Sequence, residues 1–147
     1  MFKNDNSKAT GKLIVEIKND KGVVVETREV KNLVVDDGLE FIASRMKDAT
    51  ATAMSHMAIG TGSTAAAAGN TALETEAARV ALTSTTVTAN AVAYVASFGA
   101  GTGTGAITEA GILNAASSGT LLCRTVFSVV NKGASDSMTI TWTVTIS

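Results

Sequence analysis

The chain has no proline, and among its 147 residues only one cysteine, one histidine, one tryptophan and one tyrosine. A single cysteine, Cys123, rules out an internal disulfide, so the fold needs no oxidising compartment. A single histidine, His56, leaves no His/Cys spacing of the kind that holds zinc. No apolar run approaches the roughly 20 residues of a membrane-spanning helix. The polar start MFKNDNSKAT lacks the apolar stretch of a secretory signal, so synthesis and folding in a cytosol are expected. A net charge of −1 with a pI near 5.8 gives no basic stripe for nucleic acid. The charges are also unevenly placed. Residues 1–48 hold nine Lys/Arg and nine Asp/Glu, and residues 49–147 hold only seven charged side chains. Soluble domains average about a quarter. Two readings fit this depletion: a Thr/Ser-rich β-domain in water, or a surface covered by other protein in an assembly.

What is present is mostly strand pattern. In Ser137–Ile146, Met138, Ile140, Trp142, Val144 and Ile146 alternate with four threonines. A two-residue period puts the apolar set on one face, so this stretch is expected to anchor the core or to pair as an edge with another subunit. Lys12–Lys18 and Val23–Val30 flank Asn19-Asp20-Lys21-Gly22 and read as a hairpin with a charged outer face. Asp37–Lys47 is the helix candidate. Asp37 and Glu40 fit a capping box, and Leu39, Ile42, Ala43 and Met46 form one apolar stripe. Further strands are expected at Met54–Ile59, Arg79–Thr85, Val87–Phe98, Ile107–Leu113 and Thr120–Val130. Thr71–Ala78 suggests a helical turn, and Gly111 a bulge. The pattern predicts a mainly β fold: a single antiparallel β-sandwich, jelly-roll-like, of about eight strands, with one amphipathic helix near residues 37–47. Residues 1–10 are expected to be a flexible arm and residues 11–147 one domain.

Candidate sites are few. The loop from Gly60 to Gly69 lacks the lysine that a phosphate loop requires. Gly99–Gly105 follows a strand but is not followed by the helix that a dinucleotide site uses. His56 is expected to be a structural, half-buried histidine, with Ser55 on the opposite strand face. Cys123 is expected to be buried and inert, sharing a face with Leu121, Thr125 and Phe127. Asp36/Asp37 and Glu74/Glu76 sit near expected helix starts, where acids favour the helix dipole. Glu109 and Arg124, on adjacent expected strands, are placed to pair across the sheet. No catalytic, cofactor-binding or metal site emerges, and no enzyme activity is expected.

Three stretches resemble a group of small virion proteins of tailed bacteriophages and prophages. One is GKLIVEIKNDKGVVVETREVKNLVVDDGLEFIASRM, residues 11–46. Another is MSHMAIGTGSTAAAAGNTALETEAARVAL, residues 54–82, similar to an IAVGTG…A…TAL…E…R signature of phage structural proteins. The third is ITEAGILNAASSGTLLCRTVFSVVNKGASDSMTITWTVTIS, residues 107–147. One departure is the run Ala65–Ala68, where relatives often carry a proline. Members are variously labelled tail-fibre, tail or head-decoration proteins. The resemblance implies a non-enzymatic virion component made in the host cytoplasm. The expected role is capsid decoration, or cement: binding outside the head and clamping major capsid proteins. The alternative is a tail, baseplate or fibre-associated protein with a host-binding role. The major capsid protein is the expected partner, with a homo-oligomer (trimer or dimer) and neither nucleic acid nor membrane. Phe2, Lys3 and Lys8 in the N-terminal arm are the expected capsid contacts.

Overall fold

The computed structural model of the chain describes residues 8–47 and 51–147. Nine strands and one helix follow in the order β1 (Ala9–Lys18), β2 (Val24–Val34), α1 (Asp36–Arg45), β3 (His56–Gly60), β4 (Glu76–Ala81), β5 (Ser84–Thr88), β6 (Ala91–Phe98), β7 (Gly105–Leu113), β8 (Leu121–Lys132) and β9 (Ser137–Ile146). All pairings are antiparallel, and the sheet order is β4-β3-β7-β8-β2-β1-β9-β6-β5. The sheet curls into a half-barrel. Its two halves meet at only two residue pairs between β2 and β8, Leu33 with Arg124 and Val34 with Cys123. This is the mainly β, sandwich-like architecture with one helix that the sequence predicts, with nine strands instead of about eight.

The alternating stretch at the C-terminus is β9, and it is an interior strand between β1 and β6. Met138, Ile140 and Trp142 are fully buried and Val144 nearly so, while the threonines between them are half-exposed. Leu13, Val15 and Ile17 from β1 and Tyr94, Ala96 and Phe98 from β6 join them. Met57 and Ile59 from β3, Ile107, Ala110 and Ile112 from β7, and Cys123, Phe127 and Val130 from β8 face this row from the other half. A period of two on each strand is therefore enough to line one continuous core.

Pairing extends further at the N-terminus than the pattern suggests. β1 begins at Ala9 and not at Lys12, so the end of the expected arm is in the sheet. Lys8 and Ser147 exchange backbone hydrogen bonds of 2.7 and 2.9 Å just beyond the strand ends. The expected strand over Val87–Phe98 is broken by a turn at Ala89-Asn90. Ala89 has φ 52°, a left-handed conformation that seldom holds alanine, so the turn carries no Asn-Gly or Gly-X signature. Asn90 secures it through hydrogen bonds with the Ile146 backbone.

The helix is present but differs in its start and its face. It begins at Asp36, and its N-cap is Val35, which makes no side-chain cap hydrogen bond; the Asp37/Glu40 capping box does not form. The start is set by a tertiary contact, the Val35 N–H donating to the Leu122 carbonyl at 3.2 Å. Gly38, Phe41 and Ile42 turn towards the sheet, while Leu39 is 46 % and Met46 85 % exposed. Gly38 explains the rotation: a β-carbon there would lie 2.0 Å from the Leu122 carbonyl oxygen, so only a residue without a side chain lets the helix seat on β8. Leu122 is itself the extra residue of a bulge, because Ile112 pairs with Cys123 and Leu113 with Leu121. That bulge also puts Leu121 on the opposite face from Cys123, contrary to the shared face expected from simple alternation. Gly111 is regularly paired with Ala58 and Arg124 and is not a bulge. Its missing side chain makes room for Leu73 and Leu121.

Candidate functional site

The most organised polar constellation lies on the outer face of the second half of the sheet. There, Val35, Ala58, Leu73, Leu113 and Leu121 form a second small apolar cluster. Residues 61–75, which connect β3 to β4, cover it. Fifteen residues without regular structure need anchoring, since few of their backbone groups find partners within the segment.

Glu109 supplies the anchor. A register shift between Ile107 and Glu109 turns Thr108 and Glu109 towards the loop. Oε1 of Glu109 accepts hydrogen bonds from the backbone N–H of Gly62 (3.0 Å) and Thr75 (2.7 Å). Oε2 accepts from the N–H of Glu74 (3.0 Å) and from Nε of Arg124 (2.9 Å). Nη2 of Arg124 lies 2.9 Å from the same oxygen but off the axis of a hydrogen bond, so it contributes charge and not direction. Arg124 Nη1 donates to Asn70 Oδ1 at 3.0 Å, and Thr108 Oγ1 to the Gly62 carbonyl at 2.8 Å. The Glu109 side chain is 0 % exposed and that of Arg124 2 %. Two buried charges persist here because each is paired and hydrogen-bonded. The expected Glu109–Arg124 pairing is therefore present. The expected helical turn at Thr71–Ala78 is absent, because the amides of Glu74 and Thr75 are spent on Glu109 and the chain runs extended into β4. The loop from Gly60 to Gly69, which does not read as a phosphate loop, closes instead on the protein's own Glu109 carboxylate.

Two more cations tie loops down and are not foreseeable from sequence. Lys132 is 1 % exposed, and its Nζ donates to the carbonyls of Gly99 (2.8 Å) and Asp136 (2.9 Å). Burial holds its pKa below the ordinary lysine value, and the Asp136 carboxylate acts in the opposite sense. Arg79 pairs with Glu76 and donates to the carbonyls of Ala115 and Ser118. In strand-edge sequence, both residues read as ordinary surface charges.

The remaining candidates do not assemble into a reacting group. His56 is half-buried, as expected, but Ser55 is not on the far face. Ser55 precedes β3, and its Oγ lies 2.8 Å from His56 Nδ1. Among the described residues no third group is bonded to this pair, and no group of three His, Cys, Asp or Glu side chains is placed to hold a metal. No helix among them is long and apolar enough to cross a membrane. Glu74 has a lowered pKa through its hydrogen bond with the Thr64 side chain, which makes it a loop staple. Lys8 is exposed beside Ser147, and Phe2 and Lys3 lie outside the described residues.

Cys123 is fully buried, and burial pushes its thiol well above the ordinary value of 9.0. Tyr94, at 8 % exposure, is pushed up to about 12, chiefly by burial. Raised acid pKa values mean that the native state keeps protons which the unfolded chain releases. Stability tied to Cys123 is therefore complete below pH 9 and is lost as pH rises from there, by roughly 1.4 kcal/mol per unit. Tyr94 adds the same slope between its ordinary value of 10.0 and about 12. Lys132 runs the other way up to its ordinary 10.5, since its charged form is the one burial disfavours. The contribution of Cys123 is isolated by comparing the wild type with Cys123→Ala in urea titrations from pH 8 to 11. The stability difference is expected to shrink steadily above pH 9, and native protein is expected not to react with a thiol reagent until it unfolds.

One apolar cavity of about 360 Å³ opens between α1 and the β5–β6–β9 end of the sheet. Phe41, Ile42, Met54, Val87, Val92 and Tyr94 are among its lining residues. Arg45 stands at its edge over the Phe41 ring, 5.9 Å from the centroid.

No protein family, curated protein or solved structure matches the chain.

Proposed function

We propose that the chain is a structural component of a tailed-phage particle: a capsid decoration protein that binds the outside of the head and clamps neighbouring major capsid proteins. The observation that carries this reading is the surface between Arg79 and Glu109. Residues 80–108 contain no charged side chain, yet they form the whole of β6 and of β5, whose five residues are all exposed. Free soluble domains keep such edges charged, whereas interface cores are depleted of charge. The buried charges are all engaged in fixing loops, which suits a rigid clamp better than a reaction centre. The resemblance of residues 11–46, 54–82 and 107–147 to phage virion proteins points the same way. Host-sugar recognition by a tail protein is less well supported, because Trp142, Phe98, Tyr94 and Phe127 are all buried and offer no stacking platform.

Particles lacking the protein are expected to rupture at lower temperature than complete ones, and purified protein added back is expected to restore them. Quantitative mass spectrometry of the particle is expected to give on the order of hundreds of copies, as repeated head sites require. Unchanged rupture temperature, or a copy number near that of a tail ring, would remove the cement role.

A further inference from the structure

The two edges of the sheet are built differently. β4, at one edge, carries Glu76 and Arg79, which pair with each other at 2.6 Å. Arg79 also reaches across to the 114–119 loop, and the β3–β4 register shifts at Gly60. Charge, an overlying loop and a bulge are the usual means by which an edge strand is kept from pairing with another chain. β5, at the other edge, has none of them. Its sequence is Ser84-Thr85-Thr86-Val87-Thr88, uncharged and without proline, and its register with β6 is regular from end to end. All five residues are exposed, with Val87 at 71 %. Four of the five are β-branched, the type that fits a pleated surface.

From this contrast we infer that β5 is a pairing edge and that its occupant is β5 of a second copy of this chain, laid antiparallel across a two-fold axis. One symmetry argument and two observations favour a second copy. Antiparallel edge pairing is isologous, so one strand serves as both donor and acceptor surface. Self-pairing of a charged edge brings like charges together, and β5 has no charge in any register. The neighbouring hairpin partner β6 and the β4–β5 link are equally uncharged, so nothing in residues 80–108 repels an identical surface. Pairing also covers one flank of Val87, which stands at the rim of the apolar cavity. Five paired residues per copy bury less than the roughly 1,200 Å² of a standard interface, so the contact is weak in solution and is strengthened where copies are held close together. The inference does not depend on the chain being a capsid protein.

The test is sedimentation velocity of the full chain from about 10 to 500 µM, a range suited to a weak interface. The wild type is expected to shift from monomer towards dimer across this range. Thr86→Lys and Val87→Lys, both at exposed positions, are expected to stay monomeric with unchanged thermal midpoints. In parallel, hydrogen exchange of the wild type is expected to show β5 amides gaining several-fold protection between the lowest and highest concentration. This second readout decides the matter if a variant fails to fold. A wild type that is monomeric throughout, lysine variants that dimerise as well as it does, or β5 amides indifferent to concentration would each overturn the inference.

Discussion

Replacing Glu109 by alanine is expected to lower stability by about 3–5 kcal/mol, the usual cost of breaking a buried ion pair from one side. At this chain length that corresponds to a fall in melting temperature of roughly 6–20 °C. Two losses combine. Arg124 is left as a buried guanidinium with only Asn70 as a hydrogen-bonding side chain among the described residues. Three backbone amides, of Gly62, Glu74 and Thr75, lose their acceptor while the loop still has to seat Leu73 against Ala58, Leu113 and Leu121. Arg124→Met is expected to cost less than Glu109→Ala, because the carboxylate keeps its three amide donors. The double variant is expected to be no less stable than Glu109→Ala alone, since the two side chains act as one unit. Denaturant titration measures the order, and hydrogen exchange at residues 61–75 locates the damage. A Glu109→Ala protein within about 1 kcal/mol of the wild type would mean that the loop is held by something else.

Trp142→Ala is expected to be comparably severe, at about 3–5 kcal/mol. Trp142 is the largest fully buried side chain, paired across strands with Leu13 of β1 and Tyr94 of β6. Removing the indole leaves a cavity in the apolar row that runs across β1, β9 and β6, and neighbours held in a continuous sheet have little freedom to collapse into it. Trp142→Phe is expected to cost much less than alanine. Phenylalanine keeps most of the apolar volume, and among the described residues the indole Nε1 has no hydrogen-bond partner to lose. Chemical denaturation of the three proteins separates packing from hydrogen bonding. If phenylalanine is as damaging as alanine, the indole N–H has a partner that matters, and the packing explanation is wrong.

The parts of the fold that were readable in advance are those governed by local period. β9 and β1 follow a two-residue period, and each buries the face that it marks, apart from Ile146 at the end of β9. The Glu109–Arg124 contact was also readable, because a lone acid and a lone base sit in neighbouring apolar strands where an unpaired charge has no tolerable place. The burial of Cys123 is legible too, from its place among apolar strand residues. The departures from local pattern have a common source in contacts between distant segments. Leu122 bulges and so moves Leu121 to the other face. Gly38 admits the Leu122 carbonyl and so rotates α1 away from its most apolar stripe. Glu109 captures the amides that a helical turn at Thr71–Ala78 would have used.

The amino-acid order alone determined that this is a β-protein with one helix, a strand with threonines on one face and apolar residues on the other, and a long interval without charge. Each of these follows from side chains and their spacing along a few neighbouring residues. Only the tertiary structure decided which strand is left at the edge, which face of the helix is covered, and that the loop from Gly60 to Gly69 closes on Glu109. Those outcomes depend on which backbone groups find partners far away in the chain, and no local period encodes that choice.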